Sequence, residues 1–194
     1  WQRKPSKCDR RITGLAGFDN RRRLLKATGP ATAIFRKKTV QGYQDKWGDS
    51  IVGTFGNCAG GHTPWGTVLS AEENFQSWVT ESVYPDGSAF PPGDRPFFVS
   101  NRGMVGSGSL LGYVGNKYGW MVEIDPLNPD DFGTKHTLLG RYRHEAVAVR
   151  AEAGHPLVVY SGCDRRSGHF YKFVSDSIIR APQDKANSRL FKKG

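Results

Sequence analysis

The sequence has 194 residues, 37% of them hydrophobic, and 28 Lys and Arg residues against 18 Asp and Glu residues give a formal net charge of +10. This length is sufficient for one domain with a hydrophobic core, and no apolar run approaches the roughly 18 residues of a membrane-spanning helix. The 24 glycines and 11 prolines favour many short elements joined by turns over long helices. The positive charge is compatible with an ordinary solvated surface and with attraction to phosphate esters, nucleic acids or acidic membranes. The charge alone therefore does not identify a binding partner.

The first 50 residues are basic and weakly periodic. The segment Arg21-Arg22-Arg23-Leu24-Leu25-Lys26 predicts the start of a short helix, and its charges are interpreted as solvated because no nucleic-acid-binding motif surrounds them. A β-branched run from Ile51 to Phe55 then predicts a strand, and Thr67 to Ser70 predicts the next one. Between these strands, closely spaced glycines and a Pro-Trp-Gly sequence predict a tight turn that contains Cys58 and His62.

This turn carries a thiol, and the strand after it ends in two carboxylates, Glu72 and Glu73. Iron accepts thiolate and carboxylate ligands and calcium prefers oxygen, so the turn and the strand are a candidate half of a metal site. Gly56 and Gly61 also have the spacing of a phosphate-binding P-loop. We reject that interpretation, because His62-Thr63-Pro64-Trp65-Gly66 follows where a P-loop requires Lys, then Ser or Thr, and a helix.

The rest of the chain predicts short strands separated by turns. Glu81 to Arg95 is rich in Pro and Gly, and residues 103–116 hold five glycines without the frame of a dinucleotide-binding motif, so both segments are predicted to be loops. The alternation in Tyr118 to Asp125 places two aromatic residues, Val122 and Ile124 on one face. The predicted strands are Phe97 to Ser100, Tyr118 to Asp125, His136 to Tyr142, Glu145 to Arg150, Leu157 to Ser161 and Phe170 to Val174. Many short strands at near-regular spacing predict an all-β sandwich, barrel or propeller.

Four segments carry a more specific signal because they occur together and in a fixed order. They are Gly56 to Glu73, with its Asn57-Cys58-Ala59-Gly60-Gly61 and Thr63-Pro64-Trp65-Gly66-Thr67 sequences, Gly119 to Pro126, Leu139 to Ala146, and Tyr160 to Arg166 leading to Tyr171-Lys172-Phe173-Val174. In this order they resemble the motifs of the PhoX-type alkaline phosphatase family. The resemblance covers about residues 43–175.

The resemblance implies a β-propeller fold. At roughly 40 to 45 residues per blade, the chain would supply about four blades. We therefore expect residues 1–194 to form one partial propeller domain of a phosphatase, with a basic, irregular N-terminal segment over about residues 1–45 and no second domain. Members of the family are longer, so we expect a fragment that lacks part of the active site and is inactive alone.

The resemblance also implies a cluster of iron and calcium ions. Cys58 and Glu145 match iron-binding residues of the family, and Glu73 and Asp164 match calcium-binding residues. Cys163 stands where the family commonly carries a further acid, a change that either weakens one calcium site or is tolerated. No catalytic residue is assigned.

Other polar residues near these positions have simpler interpretations. Glu72 and Glu73 alternate faces on the predicted strand, so one of the two is expected to face solvent, and Glu73 is taken as the ligand. His144 points away from Glu145 on an extended strand and is interpreted as a core or surface histidine. The pair Arg165-Arg166 either contacts phosphate through bidentate hydrogen bonds or consists of ordinary loop charges.

The function implied by the resemblance is that of a hydrolase, an alkaline phosphatase acting on phosphate monoesters with iron and calcium. We expect a monomer that is periplasmic or extracellular, with no signal segment in this chain, no membrane span and no nucleic-acid partner. Two alternatives stay open. One is a non-catalytic, basic, propeller-like module that binds anions or a protein partner. The other is charge-driven nucleic-acid binding, which predicts a steep salt dependence.

Overall fold

The computed structural model describes residues 4–101 and 103–194. These residues form eleven strands: β1 (Leu25–Thr28), β2 (Ser50–Ile51), β3 (Asn57–His62), β4 (Val68–Glu72), β5 (Phe98–Ser100), β6 (Gly103–Val105), β7 (Met121–Ile124), β8 (Thr134–His136), β9 (His144–Arg150), β10 (Pro156–Cys163) and β11 (Phe170–Ile178). Two short helices, α1 (Thr32–Arg36) and α2 (Ser107–Leu110), accompany 3₁₀ helices at Arg21–Arg23, Phe75–Ser77, Pro92–Asp94, Gly115–Lys117, Thr137–Leu139 and Lys185–Lys192. None of the helices in these two ranges has the length and apolar character that crossing a membrane requires.

The strands form two larger sheets and one hairpin. The six-stranded sheet has the order β2-β1-β8-β7-β4-β3, and β1 and β8 are its parallel pair. Strands β9, β10 and β11 form a three-stranded antiparallel sheet, and β5 and β6 form the separate hairpin. The predicted all-β class is confirmed as a mainly β-sheet fold, and the propeller arrangement stays a prediction.

Strand β7 separates two hydrophobic cores. Tyr118, Trp120 and Val122 pack into the first core, and Met121 packs into the second together with apolar residues of β4, β9 and β10. The second core therefore joins the six-stranded sheet to the three-stranded sheet. The predicted alternation of faces is confirmed, although the paired strand is shorter than predicted because a 3₁₀ helix ends at Lys117, immediately before this segment.

Glycine conformation explains where two predicted strands end early. In the predicted strand Ile51 to Phe55, pairing stops at Ile51, and Gly53 then adopts a φ of +63° against the backbone of Gly14. The predicted strand from His136 to Tyr142 also stops at its first residue. A 3₁₀ helix and Gly140, whose φ is +90°, follow it. Both glycines have backbone conformations that disfavour a continuing strand.

Two other predictions are wrong in the type of element. The basic segment from Arg21 begins as a 3₁₀ helix and becomes β1 at Leu25, because Leu25 and Ala27 are buried on one face. Residues 103–116, predicted to be a loop, contain β6 and α2. Short elements rich in glycine carry too little periodic signal to be recognised from sequence.

The glycine-rich segment around Cys58 is strand β3, where the sequence predicts a turn. Between the pairs Asn57–Glu72 and Gly60–Ser70, β3 advances by three residues and β4 by two, so β3 contains a β-bulge at its start. Glycine is needed here because β3 approaches other backbones closely. A Cβ atom on Gly61 would lie 2.5 Å from the Val147 carbonyl oxygen of β9. The glycines therefore allow β3 to pack directly onto β9.

We predict that Gly61→Ala destabilises the fold by about 1–3 kcal/mol, because a methyl group would collide with the β9 backbone. Urea unfolding of the variant and the parent measures the difference. Gly162→Ala is the matched control, because Gly162 also lies in a strand and a Cβ there meets nothing within 4 Å. Equal losses of stability in the two variants would contradict the close approach of β3 and β9.

Candidate metal centre

Cys58 is an exposed residue within the bulge of β3. Polar side chains fix the bulge: Thr54 Oγ1 donates to Asn57 Oδ1 at 2.9 Å, and Asn57 Nδ2 donates to Ser70 Oγ at 2.8 Å. Bulges commonly redirect a side chain beside a functional site. Here the bulge places the thiol at the edge of the six-stranded sheet, where β3 is the terminal strand.

The Cys58 thiol lies beside two carboxylates. It hydrogen-bonds to Glu73, and this bond, the charge of Glu73 and the charge of Glu145 all raise the pKa of the thiol. Glu73 is only 5% exposed, and it is held by Asn74 Nδ2, which donates to its Oε1 at 2.6 Å. A thiol and two carboxylates in one place repel one another once ionised, and a bound cation would relieve that repulsion.

Glu72 and Glu73 are both buried, so the prediction that one of them faces solvent is wrong. Glu72 is inaccessible because it binds Lys135 Nζ at 2.7 Å inside the fold. Its other partners are Thr54 Oγ1 and the backbone N–H groups of residues 55, 119 and 120. Glu73, just past the end of β4, is the member of the pair that reaches Cys58. The choice of Glu73 as candidate ligand therefore agrees with its position, although its role as a ligand stays a prediction.

Glu145 is exposed at the second position of β9, beside the fully buried His144. The His144 ring bonds to Ser161 Oγ at 3.1 Å and to the Gly140 carbonyl at 2.9 Å, and burial lowers its pKa to about 4. Both ring nitrogens are therefore used inside the core, so of the two positions that the sequence left open for His144, core and surface, the structure shows the core. The exposed His62 lies at the end of β3 rather than in a loop.

Asp164 lies in the exposed loop after β10, and its backbone N–H donates to the Arg143 carbonyl at 3.0 Å. Its charge contributes to raising the pKa of Arg143. No described contact joins Asp164 to Cys58. Across residues 4–101 and 103–194, no three His, Cys, Asp or Glu side chains are grouped closely enough to hold a metal ion. The structure thus brings Cys58, Glu73 and Glu145 into electrostatic range without assembling a complete ligand shell.

Comparison with known proteins identifies the family. A family model described as alkaline phosphatase PhoX matches residues 1–194. The chain belongs to the PhoX family. The chain is also similar to a solved structure, Pseudomonas fluorescens PhoX in complex with vanadate, a transition state analogue, with a TM-score of 0.70 and 34% sequence identity. This match covers 97% of the chain and 32% of the solved chain, so the chain spans about a third of that relative. A search of curated proteins gives no match.

The donor atoms of this PhoX-family chain suit iron better than calcium. A thiolate with a carboxylate is a donor pair that iron accepts, and Cys58 with Glu145 would contribute such a pair, although no three such side chains among the described residues are grouped closely enough to hold an ion. Calcium takes about six to eight oxygen ligands, which Glu73 and Asp164 cannot provide by themselves. The cluster around Cys58 therefore fits part of an iron site. It supplies only a few of the oxygen ligands that a calcium site needs.

Sequence reasoning did not find the ion pairs beside this centre. Glu81 accepts two bonds from Arg143, at 3.2 Å from Nε and 2.7 Å from Nη2, and a third from Arg165 Nη2 at 2.9 Å. Glu81 is separated from these arginines by 62 and 84 positions in the chain. Only folding brings them together, and the single available signal was the Arg165-Arg166 pair beside Asp164.

We predict that Glu73→Gln makes the Cys58 thiol more reactive in metal-free protein. Removal of the negative charge lowers the pKa of the thiol, so more thiolate is present near pH 8 and alkylation by iodoacetamide becomes faster. Peptide mass spectrometry separates Cys58 from Cys8 and Cys163. Glu152→Gln is the control, because Glu152 is an exposed glutamate paired with Arg150 and without influence on Cys58. An unchanged rate at Cys58 in Glu73→Gln would contradict the contact.

Proposed function

We propose that this chain forms part of a metal-dependent enzyme that hydrolyses phosphate monoesters. The observation that carries the proposal is the cluster of Cys58, Glu73 and Glu145 in a chain of the PhoX family. The vanadate complex of the similar Pseudomonas fluorescens protein supports it, because vanadate is described there as a transition state analogue. Since the chain spans about a third of that protein, we propose that it supplies only part of the site and is inactive alone.

In this proposal Cys58 and Glu145 hold iron, and Glu73 and Asp164 contribute to calcium binding. Bound cations would neutralise the phosphate charge and stabilise the charge that develops on its oxygens during reaction. Cys58 acts as a ligand and not as an attacking thiol, because the neighbouring carboxylates raise its pKa in the metal-free protein and only a bound cation would stabilise the thiolate. Glu73 would hold calcium through its carboxylate, which Asn74 Nδ2 orients by donating to Oε1 at 2.6 Å.

The family also supports proposals on architecture and environment. We propose that the two larger sheets belong to a β-propeller and that the protein is a monomer. We further propose a periplasmic or extracellular location and no nucleic-acid partner. The basic charge of the chain then serves small phosphate esters rather than a polyanion.

A second candidate function is a non-catalytic module that binds anions or a protein partner. The formal net charge of +10 favours it, because a cationic surface attracts anions. Hydrolysis of a chromogenic phosphate ester by the full-length protein that contains this chain, with iron and calcium supplied, separates the two functions. Activity that a chelator abolishes supports the enzyme, and phosphate binding without hydrolysis supports the module.

We predict that Cys58→Ser strongly reduces the iron content of the purified protein, because serine replaces a thiolate ligand with a hydroxyl group that is a much weaker ligand at neutral pH. Elemental analysis of iron and calcium in the full-length protein that contains this chain measures the loss, and its hydrolysis of the chromogenic ester should fall with it. Cys8→Ser is the matched control, since the Cys8 thiol only donates to the Leu127 carbonyl. Unchanged iron and activity in Cys58→Ser would contradict the assignment.

A further inference from the structure

Glu81 gathers arginine side chains beside the candidate metal centre. Arg143 holds both oxygens of Glu81 with a two-pronged guanidinium contact, and Arg165 bonds to one of the same oxygens. Burial opposes ionisation of Glu81, but the hydrogen bond from Arg143 and the charges of Arg143, Arg165 and Arg141 outweigh burial and lower its pKa. The carboxylate is therefore charged at neutral pH and orients both contacting guanidinium groups.

These arginines differ in how fully their donors are used. Arg141 donates to three backbone carbonyls, those of residues 81, 115 and 118, and thus serves the fold. Arg143 directs Nε and Nη2 at Glu81. Arg165 makes a single described hydrogen bond, through Nη2, and its side chain is 56% exposed. No further partner of its guanidinium group is found among residues 4–101 and 103–194, so Arg165 has donors available for a ligand.

The arginine cluster lies next to two of the proposed ligands, through their positions in the sequence and through one backbone hydrogen bond. Arg143 precedes Glu145 by two residues at the start of β9. The loop that carries Arg165 is fixed to the same point, because the Asp164 N–H donates to the Arg143 carbonyl at 3.0 Å. Arg143 and Arg165 therefore each lie within two residues of a proposed ligand, Glu145 and Asp164 respectively.

We infer that Arg165 and Arg143, both held by Glu81, form a binding site for the phosphate group of the ester. Guanidinium groups bind phosphate oxygens through paired, charge-assisted hydrogen bonds, and a carboxylate behind them fixes their orientation. Arg165 contacts the phosphate, and Glu81 is a positioning residue that acts through it. This inference rests on the proposed function, because the ester is the substrate proposed for the neighbouring centre.

The test compares Arg165→Ala with Arg166→Ala in the purified, iron- and calcium-supplied full-length protein that contains this chain, because the chain alone is proposed to be inactive. Arg166 is the matched control, because it is the next residue in the same loop, is exposed and makes no described contact. Inorganic phosphate is the probe, with its Kd measured by calorimetry and KM measured with the chromogenic ester. Arg165→Ala is expected to raise both values about tenfold or more, as loss of a hydrogen bond between charged groups does. Arg166→Ala is expected to stay within about twofold of the parent protein.

Two further variants separate phosphate binding from a structural role. Arg165→Lys is expected to recover only part of the phosphate affinity, because an ammonium group keeps the charge without the paired donors. Glu81→Gln is expected to weaken phosphate binding, and the double variant with Arg165→Ala should be little weaker than Arg165→Ala alone. Iron content is expected to be the same in all variants.

The outcomes distinguish this inference from the proposed function. If the parent protein binds iron and hydrolyses the ester while the two alanine variants share one KM and one phosphate Kd, the phosphate site is wrong and the proposed function stands. If the parent protein neither binds iron nor hydrolyses the ester, the proposed function is wrong. The phosphate Kd values then test the arginine site. A weaker Kd in Arg165→Ala than in Arg166→Ala supports the site. Equal Kd values in the two variants, or no phosphate binding by the parent protein, overturn it.

Discussion

The buried contact between Glu72 and Lys135 determines how the rest of the site is built. Both side chains are inaccessible to solvent and lie 2.7 Å apart. Burial lowers the pKa of Lys135 to about 8, and the nearby Glu72 opposes that shift. Loss of one partner from a buried pair costs about 3–5 kcal/mol because the other charge is left uncompensated. The pair joins β4 to β8. Glu72 also accepts hydrogen bonds from backbone N–H groups just before β3 and β7, so it connects those two segments to the pair as well.

Because Glu72 is fixed inward at the end of β4, its neighbour Glu73 is fixed as well. The Glu73 N–H donates to the Gly56 carbonyl at 3.1 Å, which holds the entry of β3 against the exit of β4. This arrangement places the Glu73 carboxylate on the Cys58 thiol. The two adjacent acids thus have separate tasks, one inside the fold and one at the centre. A rigid, fully hydrogen-bonded support of this kind keeps the donor atoms of a site in position.

Sequence patterns predicted the structural features that depend on neighbouring residues. They failed for features that depend on contacts between residues far apart in the sequence. The alternation around Trp120 follows from strand geometry alone and is correct, whereas the same geometry left open whether His144 is buried or exposed, and the fold buries it. The burial of Glu72 depends on Lys135, which lies 63 positions away in the sequence. The alternation of residues within one strand cannot predict a partner that distant. Strand β3 was missed because Gly60 and Gly61 suggest a turn, whereas in the fold they permit close contact with β4 and β9.

The distribution of charge explains why a cationic chain still needs metal ions for the proposed reaction. The net charge is +10, yet the side chains at the candidate centre are a thiol and two carboxylates. A phosphate ester carries two negative charges near neutral pH, so an ionised centre without a cation would repel it. Bound metal would reverse the local sign, and the arginines on Glu81 supply positive charge without occupying the ligand positions. In these two proposals, metal binding and phosphate binding fall to separate sets of side chains, so each set can be altered without the other.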